Sequence, residues 1–236
     1  MWLTFLAVVV VSFATLIFMR PVAEKVGLID KPNFRKRHQG FIPLIGGIAL
    51  FLGTLTFYAF QADTLPLPGL YLLSMTILLI IGVLDDRFDI SPALRAGIQA
   101  ILAGAMIYSG LELESLGQII APFSIKLGFF SLIFTVFITI GVINAFNMVD
   151  GIDGLLAGLS SVSFAGIGAL MWINQEHAIA YWCLAIILTL IPYAMFNLSV
   201  FGAKWKVFMG DSGSTLIGFT IIWMLLLSTQ GQGHAI

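Results

Sequence analysis

The chain has 236 residues, of which 59% are hydrophobic and only 10% are charged, and its formal net charge is −1. A soluble domain usually carries about 25% charged residues, so this composition excludes a water-soluble globular protein. The near-neutral net charge also argues against a nucleic-acid partner.

The predicted elements are eight apolar runs, separated mostly by proline, glycine and charged residues. A helix needs about 20 apolar residues to cross hydrocarbon about 30 Å thick, and fewer where long side chains anchor its ends. No basic residue precedes the first run and no small-residue cleavage site follows it, so we interpret it as a membrane helix rather than a signal peptide. The runs cover residues 2–19, 42–60, 70–84, 93–108, 127–146, 155–173, 178–196 and 215–228. The sequence therefore predicts an all-α fold, a polytopic membrane helix bundle with about eight transmembrane helices in one domain, 1–236.

The basic residues orient this bundle. If the runs alternate across the membrane, Lys126 lies alone on one set of connections and the ten other basic residues lie on the opposite set. Cytoplasmic connections are enriched in Lys and Arg, so we expect the larger set in the cytoplasm and the N-terminus outside, in the periplasm. The larger set is Arg20, Lys25, Lys31, Arg35, Lys36, Arg37, Arg87, Arg95, Lys204 and Lys206.

Six aspartates lie on the predicted cytoplasmic side, at helix ends or in short connections. A carboxylate at the centre of a membrane helix costs about 2.5–3.5 kcal/mol on insertion scales, so we expect these acids at the inner surface. They are Asp85, Asp86, Asp89, Asp150, Asp153 and Asp211.

The first cytoplasmic connection carries a basic run at residues 35–38. One interpretation is that it only sets topology and contacts anionic lipid. The other is a clamp for phosphates, in which arginine supplies paired hydrogen bonds. The candidate residues are Arg35, Lys36, Arg37 and His38.

A pair of acids, Asp85 and Asp86, stands at the end of the third run. Successive helical residues point about 100° apart, so these two carboxylates are not expected to share one role, whereas Asp85 and Asp89 could share a face. The alternative is a solvated helix end with no chemistry.

Four polar residues recur every three positions between residues 144 and 154, which makes a slowly drifting stripe on a helix. Gly151 and Gly154 disfavour a continuous helix and allow close backbone approach to a ligand. A plain turn is the alternative, because Asn and Asp form turns readily. The stripe consists of Asn144, Asn147, Asp150 and Asp153.

Small residues surround Asp211 directly before the eighth run. Free backbone N–H groups at a helix N-terminus bind anions, and Asp211 beside such a site would repel phosphate unless a cation lay between them. An ordinary helix cap is the alternative. The candidate anion-binding residues are Gly210, Ser212, Gly213 and Ser214.

Together these motifs suit a reaction between an aqueous phosphate compound and a lipid phosphate, in which positioning and charge neutralisation dominate. We expect Mg²⁺, with Mn²⁺ as an alternative, because Mg²⁺ prefers one or two carboxylates, water and phosphate oxygens. The three histidines are isolated in sequence, so no zinc site is predicted.

At these residues the chain resembles the polyprenyl-phosphate N-acetylhexosamine-1-phosphate transferases, and within them the bacterial undecaprenyl-phosphate N-acetylglucosamine 1-phosphate transferases. The phospho-MurNAc-pentapeptide translocases share the aspartate pattern, but the DKPNFRKRH loop is more similar to the GlcNAc branch. The matching stretches are DKPNFRKRHQGFIPLIGG at 30–47, LDDRFD at 84–89, NAFNMVDGIDGLLAGL at 144–159 and MGDSGSTLIGF at 209–219.

The resemblance implies a reaction and a place for it. UDP-GlcNAc and undecaprenyl phosphate would give undecaprenyl-diphospho-GlcNAc and UMP, with Mg²⁺, at the cytoplasmic face of the bacterial inner membrane. The product would initiate a lipid-linked surface polysaccharide such as the O-antigen of lipopolysaccharide. Association with a second copy of the chain is left open.

The resemblance also implies roles for single residues. Asp211 would bind the metal with the diphosphate. Asp85 would deprotonate or orient the lipid phosphate, and Asp86 would support both the metal and that phosphate. Asn144, Asn147, Asp150 and Asp153 would hold the nucleotide sugar and order the metal site. A covalent route through an attacking aspartate stays open, although the lipid phosphate is already an anionic nucleophile.

One departure from the family concerns the end of the chain. Family members continue with further spans and a loop bearing a His-x-His-His element, whereas this chain stops at Ile236 with His234 predicted outside. We therefore expect the 236-residue chain to have little or no activity by itself.

Three other classes share part of the pattern. An intramembrane aspartyl protease would use a Gly-x-Gly-Asp element, but residue 208 is Phe. A CDP-alcohol phosphotransferase would begin as at Asp150, but Gly158 stands where its pattern has arginine. An ion-coupled transporter would need acids near the bilayer midplane and paired repeats.

Overall fold

The computed structural model describes residues 1–31, 40–117 and 125–230. Nearly all regular structure in these residues is helical, which confirms the predicted all-α fold. The helices are α1 (Trp2–Val26), α2 (Gly46–Gln61), α3 (Pro68–Phe88), α4 (Pro92–Tyr108), α5 (Phe130–Val149), α6 (Leu155–Ile173), α7 (His177–Asn197) and α8 (Gly210–Gln230).

Six of these helices, all except α2 and α4, are long and apolar enough to cross a membrane. The chain is therefore a multi-pass membrane protein, as predicted. The helices α2 and α4 have 16 and 17 residues, or roughly 25 Å at 1.5 Å per residue, slightly less than a hydrocarbon core. The count of eight spans and the external N-terminus stay predictions.

Local sequence signals explain where several helices begin and end. Pro68 and Pro92 open α3 and α4 at the first helical position, where the missing N–H costs nothing. Gly27 ends α1 with a left-handed φ of 75°, a conformation that glycine adopts without strain.

The helix α8 forms the centre of the bundle. In its most apolar stretch 83% of the residues are buried by protein, against 17% for α5. It begins at Gly210 rather than at the predicted residue 215, so Asp211 lies in its first turn. The position of Asp211 is consequently determined by packing inside the protein.

Glycines bring the start of α8 unusually close to α2 and α3. A Cβ atom on Gly47 would lie 2.3 Å from the backbone nitrogen of Gly213, and one on Gly82 would lie 2.2 Å from Cα of Ser212. Only glycine permits this backbone approach.

A short hairpin anchors the segment that precedes α8. Strands β1 (Ile29–Asp30) and β2 (Ile42–Pro43) pair antiparallel, and the backbone N–H of Phe208 donates to the carbonyl of Pro43 at 3.0 Å. The backbone N–H groups of Gly46 and Gly47 donate to the carbonyls of Phe208 and Met209, each at 3.0 Å. This network attaches the start of α8 to the start of α2.

Candidate active site

The acids that the sequence grouped together meet at one end of the bundle, where α3 and α5 end and α4 and α8 begin; we call it the acidic end. Arg95 lies at its centre. Nη1 of Arg95 forms a short ion pair with Oδ2 of Asp85 and lies 3.4 Å from Oδ2 of Asp211. One cation therefore bridges two of the predicted site acids.

Asp85 is almost completely enclosed, with 5% of its surface exposed. Besides the pair with Arg95, its Oδ1 accepts the backbone N–H of Ile90 at 2.7 Å. A buried carboxylate needs such partners, because an unpaired buried charge is costly. Asp85 is thus held in one orientation, facing α4 and α8.

The side chain of Asp86 points in a different direction from that of Asp85, as expected for adjacent helical residues, and it caps the N-terminus of α8. Its Oδ1 accepts the backbone N–H of Asp211 at 2.7 Å and its Oδ2 accepts that of Ser212 at 3.2 Å. An anion at a helix N-terminus is stabilised by those N–H groups and by the helix dipole. In this structure the anion at the N-terminus of α8 is the Asp86 carboxylate, and the binding of a substrate anion there stays a prediction.

Asn147 also holds Asp211. Its Nδ2 donates to Oδ1 of Asp211 at 2.5 Å and contacts Oγ of Ser214 at 3.0 Å. Asn144 lies one turn earlier and faces α4 instead, where its Nδ2 donates to Oε1 of Gln99 at 2.9 Å. The polar stripe therefore divides: Asn147 contacts the acidic cluster, whereas Asn144 contacts α4.

Asp150 and Asp153 lie on the turn between α5 and α6. As predicted, the helix breaks here: α5 ends at Val149 and α6 begins at Leu155. Oδ2 of Asp153 pairs with Nζ of Lys206 at 2.5 Å. The turn thus faces the segment before α8, while Asp85, Asp86 and Asp211 form the directly connected cluster.

The predicted substrate contacts around Asp211 are deeply packed. Gly210, Ser212, Gly213 and Ser214 are all buried, and Gly210 has a left-handed φ of 76°. A Cβ atom on Gly210 would lie 2.5 Å from Oδ2 of Asp86. These residues shape the site through packing, and their direct contact with substrate stays a prediction.

Other predicted residues fall elsewhere. Asp89 ends α3 with a left-handed φ of 55° and is exposed, so it does not join Asp85. The basic run Arg35, Lys36, Arg37 and His38, like His234, lies outside the described residues.

A pocket opens beside the cluster between α3, α4 and α8, with about 260 Å³ of space including its mouth. Its polar lining combines Asp85, Arg95 and Asp211 with two uncharged groups, and its remaining lining is apolar. The other lining residues are Leu78, Ile81, Gly82, Ile98, Gln99 and Thr215.

Asp211 is the residue best placed to bind a metal ion. Its side chain is 37% exposed and it lines the pocket, whereas both oxygens of Asp86 hold backbone N–H groups. Within the described ranges no three His, Cys, Asp or Glu residues form a group that could hold an ion. An ion at Asp211 would therefore take most ligands from water and substrate, as Mg²⁺ commonly does.

Sequence reasoning missed Arg95 and Gln99 as residues of the site. Arg95 was counted only toward topology. A signal was available, because a cation in the first turn of a helix opposes the helix dipole and requires a compensating anion. Gln99 follows four residues later on the same face.

Comparison with known proteins supports the resemblance. The model of glycosyl transferase family 4 matches residues 69–229. Proteins named undecaprenyl-phosphate alpha-N-acetylglucosaminyl 1-phosphate transferase are 62% identical in Haemophilus influenzae and 61% identical in Pasteurella multocida, each over 94% of this chain and 63% of the relative. The protein of that name from Escherichia coli is 53% identical over 94% of this chain and 60% of its own length. The chain thus spans less than two thirds of the length of these curated relatives.

Proposed function

The chain belongs to glycosyl transferase family 4, and on that premise we propose that it transfers GlcNAc-1-phosphate from UDP-GlcNAc to undecaprenyl phosphate. The observation that carries the proposal is the contact of Arg95 with both Asp85 and Asp211 on the lining of a pocket that is otherwise largely apolar. Such a pocket suits a substrate with a charged head and a hydrocarbon chain.

The lipid phosphate would bind between Asp85 and Arg95. Leu78, Ile81 and Ile98 line the same pocket and offer an apolar surface for the first prenyl units. Arg95 would attract the phosphate, since a guanidinium forms paired hydrogen bonds with phosphate oxygens. Asp85 would then be free to accept a proton from the phosphate or orient it.

The nucleotide sugar would bind on the opposite side of Asp211. Asn147 orients the Asp211 carboxylate, and the turn with Asp150 and Asp153 lies beside the segment that leads to α8. Bound Mg²⁺, held by Asp211 with the Asp86 side chain behind it, would neutralise the diphosphate and stabilise charge on the transferred phosphoryl group.

The proposed chemical step is a direct displacement. An oxygen of the lipid phosphate attacks the β-phosphorus of UDP-GlcNAc, forming a new P–O bond. The bond between the β-phosphorus and the bridging oxygen breaks, and UMP leaves with the electron pair. The products are undecaprenyl-diphospho-GlcNAc and UMP, so atoms and charge balance without a further reactant.

We infer that this site faces the cytoplasm of a bacterial inner membrane. Support comes from the basic residues of the acidic end, including Arg20, Arg87, Arg95 and Lys206, because such residues favour the cytoplasmic side. Initiation of a surface polysaccharide would follow from the product. A phospho-MurNAc-pentapeptide donor is the second candidate, since it would use the same aspartates.

The test is a transfer assay with purified protein, undecaprenyl phosphate, Mg²⁺ and either radiolabelled UDP-GlcNAc or UDP-MurNAc-pentapeptide. It is run on the 236-residue chain and on this chain extended with the segment of the Haemophilus influenzae relative that lies outside the match. We expect the extended chain to release one UMP per labelled lipid from UDP-GlcNAc. Transfer only from the MurNAc donor, or from neither donor, would contradict the proposal.

A further inference from the structure

The turn between α5 and α6 is joined to the segment before α8 by the side chain of Asn197. We propose that Asn197 is a positioning residue, which holds Asp150 and Asp153 at a set distance from Asp211. The inference rests on the proposed function only for the roles of these three acids in binding substrate and metal.

Asn197 is the last residue of α7 and only 3% of its surface is exposed. Its Oδ1 accepts the backbone N–H of Gly154 at 2.7 Å. Its Nδ2 donates to the backbone carbonyl of Val207 at 3.0 Å. One amide therefore satisfies a donor and an acceptor on two different backbone segments, which neither an aspartate nor an apolar side chain of this size can do.

The backbone N–H of Gly154 needs this partner. Gly154 precedes the first residue of α6, and the first N–H groups of a helix have no partner within the helix. Leu198 packs on the other side, where a Cβ atom on Gly154 would lie 2.8 Å from Cδ2 of the leucine. The turn is consequently held from two directions by the end of α7.

The segment on the other side of the amide is itself fixed. The carbonyls of Phe208 and Met209 accept hydrogen bonds from the first two residues of α2, and Asp211 lies two residues after Met209. Asn197 thus ties the turn to a rigid frame. The ion pair of Asp153 with Lys206 adds a second connection, but exposed pairs contribute little on their own.

Removal of the Asn197 amide should release the turn and leave the contacts among Asp85, Arg95 and Asp211 unchanged, because none of those contacts involves α7. In the proposed reaction the substitution should therefore affect the binding of the two substrates differently. The KM for UDP-GlcNAc should rise at least tenfold, whereas the KM for undecaprenyl phosphate should stay within twofold.

A spectroscopic test does not depend on any activity. The only cysteine of the chain, Cys183, is 1% exposed, so a cysteine introduced at Ile152, which is 66% exposed, can be spin-labelled selectively. With Asn197 present we expect a restricted label and a narrow distribution of distances to a second label at Lys204. The Asn197→Leu substitution should make the label mobile and broaden that distribution, and Asn197→Asp should have an intermediate effect.

Thr189→Val is the matched control, because Thr189 is a buried polar residue of α7 whose hydroxyl donates only to the nearby carbonyl of Ile186. It should change neither the label nor the ratio of the two KM values. Equal mobility with and without the amide, or a broad distribution already with Asn197 present, would overturn the positioning role. If the Asn197→Leu substitution makes the label mobile but does not selectively change the KM for UDP-GlcNAc, the positioning role of Asn197 stands. The proposed use of Asp150 and Asp153 in binding that substrate is then refuted.

Discussion

The carboxylate of Asp86 accepts the backbone N–H of Asp211 at 2.7 Å, so one aspartate of the pair on α3 holds the position of the aspartate on α8. The neighbouring Asp85 reaches the same residue through Arg95. The two acids of the pair therefore act on Asp211 in different ways, one through its backbone and one through its side chain.

The Asp86→Asn substitution should destabilise the protein. The amide keeps one acceptor but turns an N–H group toward the α8 terminus and removes the charge, which costs about 1–2 kcal/mol for a helix cap. Thermal unfolding in detergent should show a lower midpoint. Asp89→Asn is the control, because Asp89 is exposed and Asn tolerates its left-handed φ of 55°; equal midpoints for both variants would refute the capping role.

Arg95→Gln should lower the rate of transfer on the order of 100-fold, because it leaves two carboxylates without their shared cation. Arg95→Lys should retain part of the rate, since lysine keeps the charge but loses the planar donor pair. Steady-state kinetics on the extended chain measure both. Arg87→Gln serves as the comparison, since within the described part of the chain exposed Arg87 donates to the backbone of Val26 and not to a site acid, and a similar loss there would argue for a general charge effect.

Gly47→Ala and Gly82→Ala should each displace the start of α8. The new methyl groups would lie 2.3 Å from Gly213 and 2.2 Å from Ser212, and overpacking of this kind costs about 1–3 kcal/mol. Gly97→Ala in α4 meets nothing within 4 Å and should be neutral or stabilising. The measurement is the unfolding midpoint, and indistinguishable values for the three variants would mean that the close approach is absent.

The topology predicts which introduced cysteines a membrane-impermeant maleimide reaches from each side. Cysteines at Asp89 and Lys204 should react only from the cytoplasm, and cysteines at Asp63 and Ser109 only from outside; all four residues are exposed. Reaction of Asp63 and Asp89 from the same side would show that α3 does not cross. If a cysteine at Ser109 reacted from the cytoplasm, α4 would not cross the membrane.

Much of this fold follows from sequence because the requirement for apolar length is strict in a membrane. Each predicted run overlaps one of the eight helices, but two ends were wrong: α1 continues to Val26 instead of ending at residue 19, and α8 begins at Gly210 instead of residue 215. Polar residues such as Asp211 and Ser212 look like a connection. They are helical because Asp86 caps the start of α8 and the glycines of α2 and α3 let it pack closely against those helices.

The site was harder to predict, since one residue type serves several purposes. Gly213 was interpreted as part of an anion site, but here its lack of a side chain allows contact with Gly47. Asn144 and Asn147 share a periodicity but contact different helices. Partners from distant parts of the chain, such as Arg95 and Asn197, become visible only when the helices are assembled.

The most direct test of the account compares how Asp85→Asn and Asp211→Asn respond to Mg²⁺ in the assay for UMP release. If Asp211 holds the metal and Asp85 serves the lipid phosphate, Asp211→Asn should raise the Mg²⁺ concentration for half-maximal rate at least tenfold. Asp85→Asn should lower the maximal rate with its Mg²⁺ dependence unchanged. An unaltered Mg²⁺ dependence in Asp211→Asn, or the same shift in both variants, would contradict the assignment.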